Sequence, residues 1–472
     1  MIPVHRHFQN TLAIVGLGKS GLSAARALTA GGAKVLVWDD KPEAREQAAK
    51  AGYTVAEPNR ENWRLVRKVV WSPGIPHTHP SPHSAADLAR SMGIPLVCDV
   101  DLLCESRVDP FYVAITGTNG KSTTTTLIHH ILASAGHKTA AGGNLGIPAL
   151  DLPALDFTGS YVLELSSYQL ELVPSLQAAV SVWLNISADH LGRHGGLDGY
   201  VAAKTRIFRN QRQPSTAIIG VDDLESAQVY DQLIRSDLGT VIPVRIGRAV
   251  PKGVYVIDGR LIDATDGRAR DICDLKGMKA LPGSHNWQNA ACAYAAARAR
   301  NVPVDAIVAA LHSFPGLAHR QQLIEVIEGV AFINDSKATN ADAAARALAC
   351  YDNILWIAGG QAKEGGIASL EPFFPRIKHA FLIGEAMEAF AETLRGKVPF
   401  TLSRTLQNAV EKADEIADHG DTVLLSPACA SWDQFRSFEH RGEDFAAIVR
   451  DLAEDEPDED EDEDEGVTEG TA

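Results

Sequence analysis

Phe111-Tyr112-Val113-Ala114-Ile115-Thr116-Gly117-Thr118-Asn119-Gly120-Lys121-Ser122-Thr123 decides the reading of the chain. The first six residues carry no charge and are rich in aromatic and β-branched side chains, the pattern of a strand buried on both faces. Gly117 to Gly120 then breaks the extended run, and Lys121 opens a helix. Backbone N–H groups in such a turn cradle phosphates, the lysine neutralises a γ-phosphate, and a hydroxyl of Ser122 or Thr123 reaches Mg²⁺. The spacing departs from a strict Walker A loop, whose first glycine would fall at Ile115. ATP and Mg²⁺ are the cofactors this segment implies.

A second glycine turn lies upstream. Residues 11–15 read as a strand and 20–30 as a helix, with Gly16-Leu17-Gly18-Lys19-Ser20-Gly21 between them; 34–38 is the next strand, ending in Asp39-Asp40. This is G-x-G-x-x-G with acids about twenty residues on, which suits a diphosphate on glycine backbone and a helix N-terminus. Taken alone it suggests NAD or FAD. It identifies a diphosphate better than the base attached to it.

From these two turns the pattern extends in both directions. Strands are expected at 69–71, 161–165, 180–186, 331–334, 354–358, 380–383 and 422–425. Helices are expected at 286–300 and 304–313, and a hairpin at 254–264 turns on Asp258-Gly259. Such alternation is α/β with largely parallel sheets. Three domains are expected: a Rossmann-like first domain (1–105), a central P-loop ATPase-like α/β domain (106–315) and a C-terminal Rossmann-like α/β domain (316–453). An acidic disordered tail (454–472) would follow, and no internal repeat is visible.

The chain has 472 residues, 45% hydrophobic and 22% charged, too long for one ordinary core. Its formal charge is −16, but twelve acids fall between Glu454 and Glu469, leaving the remainder near −4. A nearly neutral body excludes a nucleic-acid footprint and a basic membrane patch. No apolar run approaches the ~20 residues that span a bilayer, and no signal peptide is evident. Six scattered cysteines fit reduced thiols and a cytoplasmic location.

The ordered set of segments resembles the Mur ligase family, whose members form amide bonds with ATP in peptidoglycan precursor synthesis. Besides the 116–123 loop it comprises Glu164-Leu165-Ser166-Ser167-Tyr168-Gln169-Leu170, 185–190, 285–289, Asn334-Asp335-Ser336-Lys337-Ala338-Thr339-Asn340 and Ser426 to Phe435. The likeness covers about 10–450 and excludes the tail. The last two segments, with Ser72-Pro73-Gly74-Ile75-Pro76, resemble the branch that adds D-glutamate to UDP-N-acetylmuramoyl-L-alanine. The resemblance reassigns the first glycine turn to uridine diphosphate, with Lys19, Ser20, Asp39, Asp40, Gly74 and Asn144 as contacts. It implies ATP contacts at Gly117, Thr118, Asn119, Gly120, Lys121, Ser122, Thr123, Asn286, Asn289, His319, Arg320 and Asp335. Metal ligands would be Ser122, Glu164, His190 and a carbamylated Lys204. Lys121, Glu164, His190, Lys204 and Lys337 would be catalytic, and Thr339, Lys363, Ser431 and Phe438 would hold D-glutamate. A monomer is implied.

Without that likeness, Lys204 reads as a helix-surface lysine and His190 as a structural residue ending a strand. Cys429 reads as a packing residue, and His440-Arg441 as a solvated helix face. The sequence departs from the family at Gln361, where Asp is common, at Ala318, where Pro is usual, and at Arg193-His194-Gly195-Gly196. Four alternatives compete: an NAD-dependent oxidoreductase, a non-catalytic nucleotide switch, the L-alanine-adding UDP-N-acetylmuramate ligase, and folylpolyglutamate synthetase. The last would not need a UDP-type first domain, and Ser426 to Phe435 argues against the L-alanine-adding ligase. The oxidoreductase leaves Gly117 to Thr123 unexplained and lacks a hydride site, and the switch makes Glu164, Lys204 and Lys337 incidental.

Overall fold

The computed structural model describes residues 1–236, 239–278, 280–362 and 365–454. The chain divides into two compact units, Met1–Phe314 and Pro315–Ala472. The division falls inside Phe314-Pro315-Gly316, a sequence that breaks regular structure.

The first unit holds two sheets. In one, five parallel strands run in the order Thr54–Val55, Lys34–Trp38, Thr11–Val15, Val66–Trp71 and Leu96–Val97. The order reverses at Thr11–Val15, so the crevice for a ligand opens at its C-terminal end, above Gly16.

The other sheet has nine strands and centres on Phe111–Thr116, flanked by Ser160–Glu164 and Val180–Trp183. Its strands are parallel except at one edge. There Val254–Ile257, Arg260–Asp263 and Arg270–Asp274 form an antiparallel meander. The Asp258-Gly259 hairpin was legible from its turn residues; the third strand of the meander was not, because Arg270–Asp274 is polar and exposed on an edge. Phe111–Thr116 is buried along its length on both faces, as its uncharged sequence requires. Helices Lys121–Ser134 and Ser284–Ala299 cover one face, the second through an alanine-rich run that lets it approach closely.

The second unit is a six-stranded sheet in the order Gln322–Ile327, Val330–Asn334, Thr422–Leu425, Ile354–Gly359, Ile377–Ile383 and Phe400–Arg404. It is parallel except for its first pair, the hairpin 322–334. Separate apolar clusters pack its two faces, with Trp356 and Leu424 in one and Leu355 and Val423 in the other. No described helix is long and apolar enough to cross a membrane.

Candidate active site

The phosphate loop is held by contacts of its own backbone and neighbouring side chains. Gly120 has φ +80°, and a Cβ there would lie 2.2 Å from Asn289 Oδ1. Only glycine lets the loop lie this close to helix Ser284–Ala299. The helix beginning at Lys121 has no side-chain N-cap, so its first-turn N–H groups and positive dipole end face the loop. Thr118 N donates to Asn185 O and Asn119 N to Asn185 Oδ1, both at 2.9 Å. Lys121 Nζ reaches back to Gly117 O (2.9 Å) and Thr118 O (2.8 Å). Ser122 and Thr123 are buried in the first helical turn. Asn286 and Asn289 are buried together, Asn289 Nδ2 donating to Asn286 Oδ1 (2.9 Å) while Thr124 Oγ1 donates to Asn289 Oδ1 (3.2 Å). The arrangement fits a nucleotide triphosphate.

Glu164 ends the neighbouring strand, paired in register with Ile115. Its Oε1 accepts from Asn144 Nδ2 (2.7 Å), and Asn144 N donates to Glu164 O (2.9 Å). Its Oε2 is buried and has no partner among the described residues. A buried carboxylate oxygen without a hydrogen bond is costly, and it is the hard donor that Mg²⁺ takes. This oxygen therefore fits that ion. Asn144, assigned to the UDP-linked substrate, is placed here with its amide on the metal-side carboxylate.

Lys204 is not a surface lysine. It lies in helix Leu197–Thr205 at 1% exposure, where Nζ donates to Gly117 O (2.8 Å) and sits 4.7 Å from the centre of the Tyr200 ring. Burial, reinforced by the Lys121 charge, lowers its ammonium to about 7, against the pull of Asp189 and Glu164. A buried amine that is substantially neutral near pH 7 is a nucleophile toward CO₂.

His190 does not end a strand. The strand stops at Trp183, and His190 stands in a loop at φ +52°, half exposed. Its ring lies 5.3 Å from Tyr168, and Asp189 Oδ1 is 3.5 Å from its Nδ1. The apolar run 180–186 suggested a longer strand because Leu184 and Ile186 are buried too, but under the loop.

At the first turn, Gly16 has φ +92°, and a Cβ on Gly21 would lie 2.0 Å from Gly16 O. Lys19 starts the helix and is exposed, and Ser20 bonds the buried Asp99. Asp39 accepts from Leu17 N (2.7 Å) and Lys41 N (2.9 Å), one on each oxygen. A dinucleotide site needs that carboxylate for a ribose diol; here it braces the turn, which disfavours the oxidoreductase. Asp40 is exposed and pairs with His83 (3.0 Å). Gly74 is exposed too, its carbonyl accepting from Arg193 (2.8 Å).

In the second unit Asp335 is buried, accepting from Ser426 Oγ (2.8 Å) and Gln321 N (3.2 Å), and burial pushes its carboxyl up to about 7. Lys337 N donates to His319 O (3.0 Å), and Lys337 Nζ lies 5.8 Å from the Phe438 ring. Arg320 follows His319, which takes φ +61°. Thr339 N donates to Lys337 O (2.9 Å), and Ser431 is buried in the turn whose Ala430 pairs with Gln361. Lys363 and the tail 455–472 lie outside the described residues. Cys429 is buried, and burial raises its thiol to about 12, so it packs and is no nucleophile.

Arg441 corrects the sequence reading. It is fully buried, not solvated. Nε donates to Ser336 Oγ (3.0 Å), and Nη2 donates to Ser336 O (2.9 Å) and Cys429 O (3.1 Å), joining the loops that carry Lys337 and Ser431. The signal was the stripe Phe438, Arg441, Phe445, Val449, which places Arg441 on the inward face of helix Phe438–Glu454. Arg441→Met should cost about 1–3 kcal/mol for each carbonyl left buried without a donor, read as a lower midpoint in urea unfolding. An unchanged midpoint would show that the guanidinium holds nothing.

Three family models match successive stretches of the chain. Residues 10–97 match the Mur ligase MurD-like N-terminal domain, 115–297 the Mur ligase middle domain, and 319–429 the Mur ligase glutamate ligase domain. The UDP-N-acetylmuramoylalanine–D-glutamate ligase of Rhodospirillum rubrum is 54% identical over 96% of this chain and 97% of its own. That of Phenylobacterium zucineum is 50% identical over 97% and 100%. Among solved structures, MurF from Acinetobacter baumannii (TM-score 0.57, 20% identity, 96% and 93% covered) shares the fold. So does the UDP-N-acetylmuramate-alanine ligase of Thermotoga maritima (0.56, 17%, 94% and 99%). The chain belongs to the Mur ligase family, and within it to the UDP-N-acetylmuramoylalanine–D-glutamate ligases.

Proposed function

We propose that this enzyme joins D-glutamate to UDP-N-acetylmuramoyl-L-alanine with cleavage of ATP, as one step of peptidoglycan precursor synthesis. A carboxylate oxygen of the acceptor attacks the γ-phosphorus, the bond to the β-phosphate oxygen breaks, and ADP leaves. The D-glutamate amine then attacks the acyl carbon and loses a proton, and inorganic phosphate departs from the tetrahedral adduct. The phosphate loop holds the triphosphate by its helix N-terminus, and Lys121 neutralises charge on the transferred group. Glu164, His190, Ser122 and a carbamylated Lys204 would hold Mg²⁺, which supplies charge neutralisation when bound. Lys337, Thr339, Lys363, Ser431 and Phe438 are assigned to the amino acid, with His319, Arg320 and Asp335 on the nucleotide. The division at 105, 315 and 453, a monomeric state and a cytoplasmic location belong to the same reading.

The single observation that carries it is the meeting of the 117–123 loop with Lys204 and the open oxygen of Glu164 at one end of one sheet. Phosphate release with ATP, UDP-N-acetylmuramoyl-L-alanine and D-glutamate, L-glutamate or L-alanine in turn tests it. Release with D-glutamate alone is expected. Release with L-alanine on UDP-N-acetylmuramate would assign the sister activity, and NADH oxidation without ADP would overturn the class.

A further inference from the structure

Arg193 entered the sequence reading only as part of a departure from the family. Its guanidinium donates through Nη1 to Gly74 O (2.8 Å) and through Nη2 to Pro73 O and Ile75 O (both 3.3 Å). It lies 4.5 Å over the Tyr168 ring and, among the described residues, forms no ion pair within 4 Å. A guanidinium suits planar carboxylates and phosphates. Here its fork is committed to three successive carbonyls of a turn about 120 residues away in sequence.

The two things it joins are the two ends of the reaction. The 72–76 turn packs on the first glycine turn: a Cβ on Gly16 would lie 2.4 Å from Ser72 Cβ. On the other side, Arg193 N donates to His190 O (2.9 Å). Tyr168, which Arg193 covers, stands 5.3 Å from the rings of both His190 and His194, and His194 Nε2 lies 2.9 Å from Ser167 Oγ. One side chain thus ties the UDP-side turn to the loop that carries His190.

We propose that Arg193 is a positioning residue that fixes the spacing between the turn holding the acceptor's uridine diphosphate and the loop beside the phosphate site. The inference rests on the function proposed above and adds to it. An acceptor anchored at its UDP end delivers its distal carboxylate to one place only if that spacing is rigid. A misplacement of ~1 Å costs on the order of 10²-fold in rate. Tyr168 supplies the aromatic face over which the guanidinium rests.

The test compares Arg193→Met, Arg193→Lys and Arg193→Ala with the unaltered enzyme. Calorimetry without metal gives the affinity for UDP-N-acetylmuramoyl-L-alanine, and steady-state kinetics give kcat and each KM. For Arg193→Met, acceptor affinity should fall ~10-fold and kcat ~10²-fold, with KM for ATP and D-glutamate within about twofold. Arg193→Lys should recover part of both, and low-millimolar guanidinium should restore part of kcat in Arg193→Ala. A lower Tm with unaltered acceptor affinity and kcat per folded molecule would overturn the inference, as would a parallel rise in KM for ATP. If the unaltered enzyme bound no UDP acceptor, the proposed function itself would fall. Binding by that enzyme with unmoved variants sinks the role of Arg193 alone.

Discussion

Lys204→Ala should lose turnover by on the order of 10³-fold or more, and bicarbonate or a short carboxylic acid should restore part of it. The expectation comes from where the amine sits. At 1% exposure and hydrogen-bonded to Gly117 O, it stands behind the phosphate loop with a second ammonium, Lys121, close enough to lower its pKa. A cation there bears the cost of burial and repulsion from Lys121, against the weaker pull of Asp189 and Glu164. Addition of the neutral amine to CO₂, with loss of a proton, turns that cation into an anion beside an unpaired carboxylate oxygen, a pair suited to a divalent ion. The alanine variant keeps the space but not the charge, so a small carboxylate can enter and stand in. Absence of rescue by any acid of two or three carbons would count against a carbamate.

The sign of the pH dependence follows. With its folded-state value near 7, Lys204 is mostly neutral above that pH and protonated below it. Activation of the unaltered enzyme by added bicarbonate should therefore weaken as pH falls from 8 to 6. The unfolded chain keeps the proton up to its ordinary value of 10.5, so the unfolded state binds more protons between about 7 and 10. Stability contributed by this group rises with pH through that window, and Lys204→Met should flatten the rise.

The fold was legible wherever local chemistry dictated it. Thr11–Val15, Lys34–Trp38 and Thr422–Leu425 fall where apolar runs bounded by turn residues put them. Strands such as Thr139–Gly143, with two glycines and small alanines, carry no such signal, and their extension comes from pairing with Ser160–Glu164. The glycine turns were legible because φ above zero and close approach leave one residue type. Burial of long polar side chains was not. Lys204 and Arg441 both read as surface charge, since a single sequence cannot show that a helix end is covered. Only the spacing of Phe438, Arg441, Phe445 and Val449 hinted at it. Arg193 was invisible for a different reason: its partners are main-chain carbonyls far along the chain, and carbonyls leave no mark on a sequence.

Lys121→Ala should abolish turnover, by on the order of 10³-fold or more, while leaving affinity for UDP-N-acetylmuramoyl-L-alanine within about twofold. The separation is built into the architecture. Lys121 opens a helix packed on the nine-stranded sheet, whereas the first glycine turn follows a strand of the five-stranded one, so the lysine and the UDP turn stand on different sheets. Within its own loop Lys121 Nζ braces Gly117 and Thr118, so circular dichroism and Tm must show the fold intact. Loss of acceptor binding together with turnover would mean a misfolded protein or exchanged roles for the two turns. A second consequence reaches Lys204. Removing the Lys121 charge takes away one of the causes that hold the Lys204 ammonium low, so its pKa rises and fewer amines are neutral at pH 7. The carbamate anion loses a cationic neighbour in the same stroke. Both effects have one sign: the ¹³C carbamate resonance formed with labelled bicarbonate should be weaker in Lys121→Ala than in the unaltered enzyme at equal pH. An undiminished resonance would show that the two lysines act independently.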